Sequence, residues 1–100
     1  MRRGTTPTIT VSTDFDVDSC KSVWFTLRQR DVEITKEKGD MLITDDGFSV
    51  TLTQEDTLKL DENGPDAGAQ VRALTDTGQA FASNVVNIPI QQILKDGVIT

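Results

Sequence analysis

The apolar residues of this chain recur at every second position. In TITVSTDF, residues 8–15, Ile9, Val11 and Phe15 fall on one side with Thr13 in step. In KSVWFTLRQ, Val23, Phe25 and Leu27 take one face and Trp24, Thr26 and Arg28 the other. A period of two puts alternate side chains on opposite faces of an extended backbone. Such segments are half-buried strands, and their apolar faces must meet another layer.

The turns between these segments fix the expected hairpins. RDVEITKE continues extended, with Val32 and Ile34 in step, and returns on the previous strand through a turn near Gln29 to Asp31. Asp46-Gly47 lies between two alternating segments and is a type I′ turn signal. Centred there, the hairpin pairs Asp45 with Phe48, Ile43 with Val50 and Met41 with Leu52. Every large apolar residue of that hairpin except Leu42 then shares a face. In AQVRALTDTGQAFAS, a type I turn with Gly78 in the left-handed bulge position sets Thr75 opposite Gln79, Ala73 opposite Phe81 and Val71 opposite Ser83. Ala69, Val71, Ala73, Phe81 and Val85 line one side of that hairpin. Val86, Ile88 and Ile90 have the opposite phase, so a bulge is expected near Ser83-Asn84. Pro89 points to an edge strand.

One stretch breaks the pattern. TLTQEDTLKL, residues 51–60, carries a helix start: Thr53 can accept from the N–H of Asp56, with Glu55 and Asp56 near the positive end of the turn. The loop DENGPDAG follows. A helix this short is marginal by itself, so Leu58 and Leu60 are expected to plug the open end of a sandwich where the chain crosses between sheets.

The composition mostly excludes. One hundred residues suit one domain that buries its own core. The net charge of -6, with Arg2 and Arg3 as the sole basic cluster, disfavours nucleic acid as a partner. There is no histidine, hence neither the commonest general base nor the commonest transition-metal ligand. Cys20 is the one cysteine, so no internal disulfide is expected. No apolar run reaches membrane-span length and MRRGTTPT lacks an apolar leader core, so no membrane is expected as partner.

Two motifs suggest chemistry. Asp76-Thr77-Gly78 matches the triplet of two-chain aspartic proteases, but it sits too near the end of the sequence for their downstream elements, and a turn explains it. Asp14, Asp16 and Asp18 have the alternate spacing of a calcium loop, but the sixth and twelfth positions are Ser19 and Phe25, where an EF-hand needs Gly and Glu. The expectation is therefore no catalytic residue, no cofactor and no metal ligand. Trp24 is left with three possible places: under the tail, in a second apolar layer, or exposed as an interface anchor.

The segments MRRGTTPT, LTQEDTLKL, AQVRALTDTGQAFAS and ILKDGVI together resemble a group of short proteins encoded among the structural genes of phages and prophages of Gram-positive bacteria. The order of elements is also similar to the N-terminal β-sandwich module of phage baseplate upper proteins, although this chain is far shorter and no receptor-binding domain follows. The resemblance implies a virion or tail-associated component, assembled in the host cytoplasm, and carries no catalytic residue over.

The resulting expectation is an all-β, immunoglobulin-like sandwich of about seven strands with one short helix. Residues 1–7 form a flexible N-terminal arm, residues 8–90 the β-sandwich domain and residues 91–100 an apolar C-terminal tail. The expected core comprises Ile9, Val11, Val23, Phe25, Leu27, Ile43, Phe48, Val50, Leu52, Val71, Phe81 and Val85. The expected function is that of a non-enzymatic structural or adaptor component of a phage particle, working through contacts with other phage structural proteins or with itself. The expected contact residues are Arg2, Arg3, Thr5 and Thr6 in the arm and Ile93, Leu94, Val98 and Ile99 in the tail. The alternative is a small acidic phage-encoded inhibitor of a host protein.

Overall fold

A computed structural model describes residues 1–100. It contains strands β1 (Thr8–Ser12), β2 (Cys20–Gln29), β3 (Val32–Glu37), β4 (Leu42–Thr44), β5 (Gly47–Thr51), β6 (Ala67–Thr75), β7 (Ala80–Ala82) and β8 (Val86–Ile88). A single turn of 3-10 helix, Lys38–Asp40, precedes β4, and helix α1 (Gln54–Leu58) follows β5. Two antiparallel sheets result, one ordered β1-β5-β4 and the other β3-β2-β6-β7, with β8 also paired to β6. That strand order is the B-E-D and C′-C-F-G arrangement of an immunoglobulin-like sandwich. β7 and β8 together fill the last position, so eight strands occupy seven places.

The sheets meet on the faces that the alternation marked. Val23, Phe25 and Leu27 of β2 and Val71 of β6 are buried against Phe48 and Val50 of β5 and against Leu52. Phe25 and Phe48 touch edge to face across the interface, with ring centroids 6.4 Å apart. Ile34, Val17, Cys20, Leu60, Ala67, Ala69 and Ala73 complete the interior. Ile9, Val11 and Ile43 point inward but are only half-buried. They lie on the two edge strands of the smaller sheet, where one flank has no neighbour.

Three registers can be set against the sequence. The β6–β7 hairpin pairs Ala73 with Phe81, and the Thr75 N–H donates to the Gln79 carbonyl at 2.8 Å. Gly78 is left-handed at φ 90°, as the bulge position requires. The phase then switches where expected. Arg72 faces Ala82, whereas Ala69 faces Val86, so one extra residue sits between β7 and β8. Ser83 fastens this bulge: its N–H donates to the Val71 carbonyl at 2.8 Å and its hydroxyl accepts the Val71 N–H at 3.0 Å. The same bulge carries Val85 out of the core. Val85 is 57% exposed, on the outer face above Gly68, so its place in the expected core is corrected. Phe81 is a rim residue, 39% exposed, stacked edge to face on Phe15 at 4.7 Å.

The β4–β5 hairpin turns one residue earlier than the Asp-Gly signal indicates. Thr44 pairs with Gly47 and Ile43 with Phe48, leaving Asp45 and Asp46 as the two-residue loop. Neither aspartate has positive φ, so this is not the type I′ turn. The register differs by two residues, an even number, so Ile43, Phe48 and Val50 keep their inward facing. Glycine is needed at position 47 for another reason. A Cβ there would run into the Val11 carbonyl oxygen, because β1 pairs alongside β5 with Ser12 opposite Gly47.

Helix α1 closes one end of the sandwich as the chain passes from β5 to β6. The Thr53 hydroxyl accepts the Asp56 N–H at 3.0 Å, and the Asp56 carboxylate accepts the Thr53 N–H at 3.0 Å. Leu60, only 2% exposed, enters the core beyond the helix, and Leu58 is half-buried. The buried Thr57 hydroxyl donates to the Thr5 carbonyl at 2.9 Å. A buried glutamine that the pattern did not single out holds the following loop. The Gln29 amide donates to the carbonyls of Asp61 and Pro65 at 2.8 and 2.7 Å and accepts the Asp61 N–H at 2.6 Å. This satisfies three backbone groups where the loop leaves water.

Lys36 on β3 reaches the same cap, 2.8 Å from the Asp56 carboxylate. Burial pushes the Asp56 carboxyl up. The hydrogen bond from Lys36, the Thr53 N–H and the Lys36 charge outweigh that and hold it below its ordinary value of 3.8. A carboxyl depressed in the folded state stabilises above its unfolded value and ceases to as pH falls through the folded one. Asp56→Asn keeps an acceptor for the cap and removes the charge. The variant should be less stable by about 1 kcal/mol at neutral pH. The gap to wild type should close as pH falls below the ordinary carboxylate range. Urea melts of both proteins from pH 7 to pH 2 check this; a gap that does not vary with pH contradicts it.

Candidate interaction surface

The arm and the tail meet at one end of the molecule. Arg2 forms a parallel bridge with Gln91. The Arg3 N–H donates to the Gln91 carbonyl at 3.1 Å, and the Gln91 N–H donates to the Met1 carbonyl at 2.7 Å. The Met1 ammonium donates to the Pro89 carbonyl at 2.7 Å. Residues 1–3 of the arm are therefore hydrogen-bonded to residues 89–92, where the tail begins.

Arg3 is the centre of this junction. Its guanidinium donates to the carbonyls of Leu60 at 2.6 Å and Leu58 at 2.9 Å, and pairs with Asp96 at 2.7 Å. Those carbonyls sit at the C-terminal end of α1, where backbone acceptors lack helical partners and a cation is favoured. Glu62 is 3.7 Å from the same guanidinium and accepts the Ile93 N–H at 3.3 Å. Arg3 thus links arm, helix and tail, and its side chain is only 13% exposed.

The remaining expected contact residues divide. Arg2 is exposed and donates to the Gln92 carbonyl at 2.7 Å. Thr5 and Thr6 are exposed, and the Thr5 hydroxyl donates to the Arg2 carbonyl. Ile93 is half-buried, its Cδ1 close above Gly4. Leu94 is 97% and Ile99 80% exposed, with Val98 also in solvent. The Ile99 backbone is nevertheless fixed, exchanging two hydrogen bonds with the Gln54 side chain at 2.8 and 3.1 Å. The tail folds back on its own domain and still presents three large apolar side chains to water.

A second exposed surface covers the outer face of the larger sheet. Trp24 lies there, 43% exposed, with the Arg72 guanidinium 5.5 Å from its ring centroid. Thr26, Arg28, Gln70 and Val85 continue this shallow face. Trp24 therefore takes the exposed one of its three possible places.

The residues weighed for chemistry are placed as follows. Asp76, Thr77 and Gly78 form an exposed hairpin tip, with the Gly78 N–H donating to the Thr75 carbonyl. The Asp16 carboxylate accepts the Asp18 N–H at 3.1 Å, an aspartate turn. No three Cys, Asp or Glu side chains converge as a metal-holding group. Cys20 is buried. Burial pushes its thiol up, Lys38 pulls it partly back, and Asp16 and Asp76 push it further up, so the nucleophilic thiolate is disfavoured. No helix is long and apolar enough to cross a membrane.

Comparison with protein-family models, curated proteins and solved structures finds no match.

Sequence reasoning missed that Arg3 serves as an internal clamp. Its signal lay outside local pattern: the three carbonyl and carboxylate groups it serves come from residues 58, 60 and 96.

Proposed function

We propose that this protein is a non-enzymatic structural or adaptor component of a phage particle, associated with the tail or baseplate and working through protein–protein contacts. The observation that carries the reading is the exposed tail. Leu94, Val98 and Ile99 stand in water on a segment held in place by Arg3, Glu62 and Gln54. Apolar side chains on a fixed backbone give a partner surface at little ordering cost. The likeness of four chain segments to phage structural-gene products supplies the setting. Exposed Arg2 and Thr5 border the same end and form the polar part of the surface.

The test is mass spectrometry of purified particles from the phage or induced prophage that encodes the chain. The expected result is the chain at a fixed ratio to known tail proteins, with Leu94→Asp/Ile99→Asp lost from the particles while its melting temperature stays within a few degrees of wild type. Finding the chain only in the infected-cell lysate would overturn this reading and favour the host-inhibitor alternative.

A further inference from the structure

The sandwich has four outer strand edges, and three of them are guarded. β3 carries Glu33, Lys36 and Glu37 among its six residues. β4 has only three residues. The β7–β8 edge is broken by the Ser83 bulge and followed by Pro89. Charge, brevity, bulges and proline are the means by which proteins prevent a foreign strand from adding to a sheet. β1, TITVS, has five residues with no charge, no proline and no bulge.

Its free side is also well defined. The Leu52 N–H donates to Pro7 and the Thr13 N–H to Asp46. With the β1–β5 register, this phase turns the Ile9 and Val11 backbone groups toward β5 and those of Thr8, Thr10 and Ser12 away from it. No other strand or isolated bridge pairs with β1. In an immunoglobulin sandwich of constant type, strand A lies on this side of strand B; here no strand of the chain does.

We infer that β1 pairs antiparallel with β1 of a second copy, about a two-fold axis at Thr10, joining two three-stranded sheets into one of six. This rests on the protein–protein reading above and names one partner. The sequence TITVS is self-complementary in that register. Thr10 faces Thr10 of the other copy, Thr8 faces Ser12, and on the inner face Ile9 meets Val11, covering two side chains that are half-buried in the monomer. The outward N–H and C=O groups of Thr8, Thr10 and Ser12 find partners in both directions. Charge does not oppose this pairing within an acidic chain. The strand itself is uncharged. Antiparallel pairing about Thr10 therefore sets no like charges opposite one another within the two strands.

Position 10 tests this without touching the core, because Thr10 is exposed and its outward N–H takes no part in the β1–β5 ladder. Full-length wild type, Thr10→Lys and Thr10→Glu are compared by size-exclusion chromatography with multi-angle scattering at ~100 µM, a concentration suited to micromolar association. Wild type should run at twice the chain's 11.0 kDa. Either variant alone should fall to the monomer mass, since like charges would face each other across the axis. Mixing the two variants should restore the dimer. A monomeric wild type, or a Thr10→Lys variant that dimerises as well as wild type, would overturn the inference. Neither result bears on the tail surface, which the particle experiment reads separately.

Discussion

Phe48→Ala should cost about 4 kcal/mol of stability, the largest loss expected from a single side chain here. Phe48 has no exposed surface and is the largest of the fully buried side chains. It also reaches the larger sheet, meeting Phe25 edge to face. Truncation removes the transfer free energy of a phenyl ring. It leaves a cavity between two hydrogen-bonded sheets that cannot collapse without breaking ladders. It also removes the ring pair, about 1 kcal/mol beyond area burial. A domain of this size has about 5–15 kcal/mol in total. Urea denaturation followed by circular dichroism should show a large fall in midpoint, with Phe48→Leu retaining most of the stability. A loss below about 1 kcal/mol for the alanine variant would mean that the two sheets do not meet at this residue.

Gly47→Ala should cost about 3 kcal/mol by a different mechanism, since it adds atoms where there is no room. The added methyl would overlap the Val11 carbonyl oxygen and lie 3.1 Å from the Ser12 Cα. Both obstacles are backbone, so no rotamer change relieves the clash, and β1 must move away from β5. The expected signature is local. The Ile9 and Val11 amides, turned toward β5, should lose hydrogen-exchange protection before the amides of β2 and β6. Gly39→Ala is the control, because nothing lies within 4 Å of a Cβ there. Equal stability of the two alanine variants would show that the β1 backbone does not pack against Gly47.

These two residues also mark what the linear pattern can and cannot carry. Phe48 was legible because alternation records facing directly, and facing survives an even slip in register. The reason for Gly47 was not legible. A glycine after aspartate has the same appearance whether it shapes a turn or makes room for the backbone of a neighbouring strand, and only the pairing of β1 from thirty-odd positions upstream distinguishes them. The bulge at Ser83 could be read from the change of phase, yet Val85 was assigned to the wrong side of it. A bulge inverts every facing after it, so an uncertainty of one residue in its position is enough to move a side chain from core to solvent. The arm and tail show the strongest divergence. Their composition marked polar and apolar ends, while Arg3, outwardly a surface residue, is bound to two carbonyls near the helix end and a carboxylate in the tail.

By itself the sequence determined the sandwich class, the inward set of β2, β5 and β6, the capped helical turn and the register of the last hairpin. Each of these follows from the steric alternation of an extended chain, or from hydrogen bonds between residues close in sequence. The tertiary structure decided which strands became edges, which glycine was needed beside a neighbouring backbone, where Arg3 and Gln29 found their acceptors, and which apolar side chains remained in water. Those outcomes depend on groups brought together from distant positions, and a local pattern holds no record of what the folded chain places beside it.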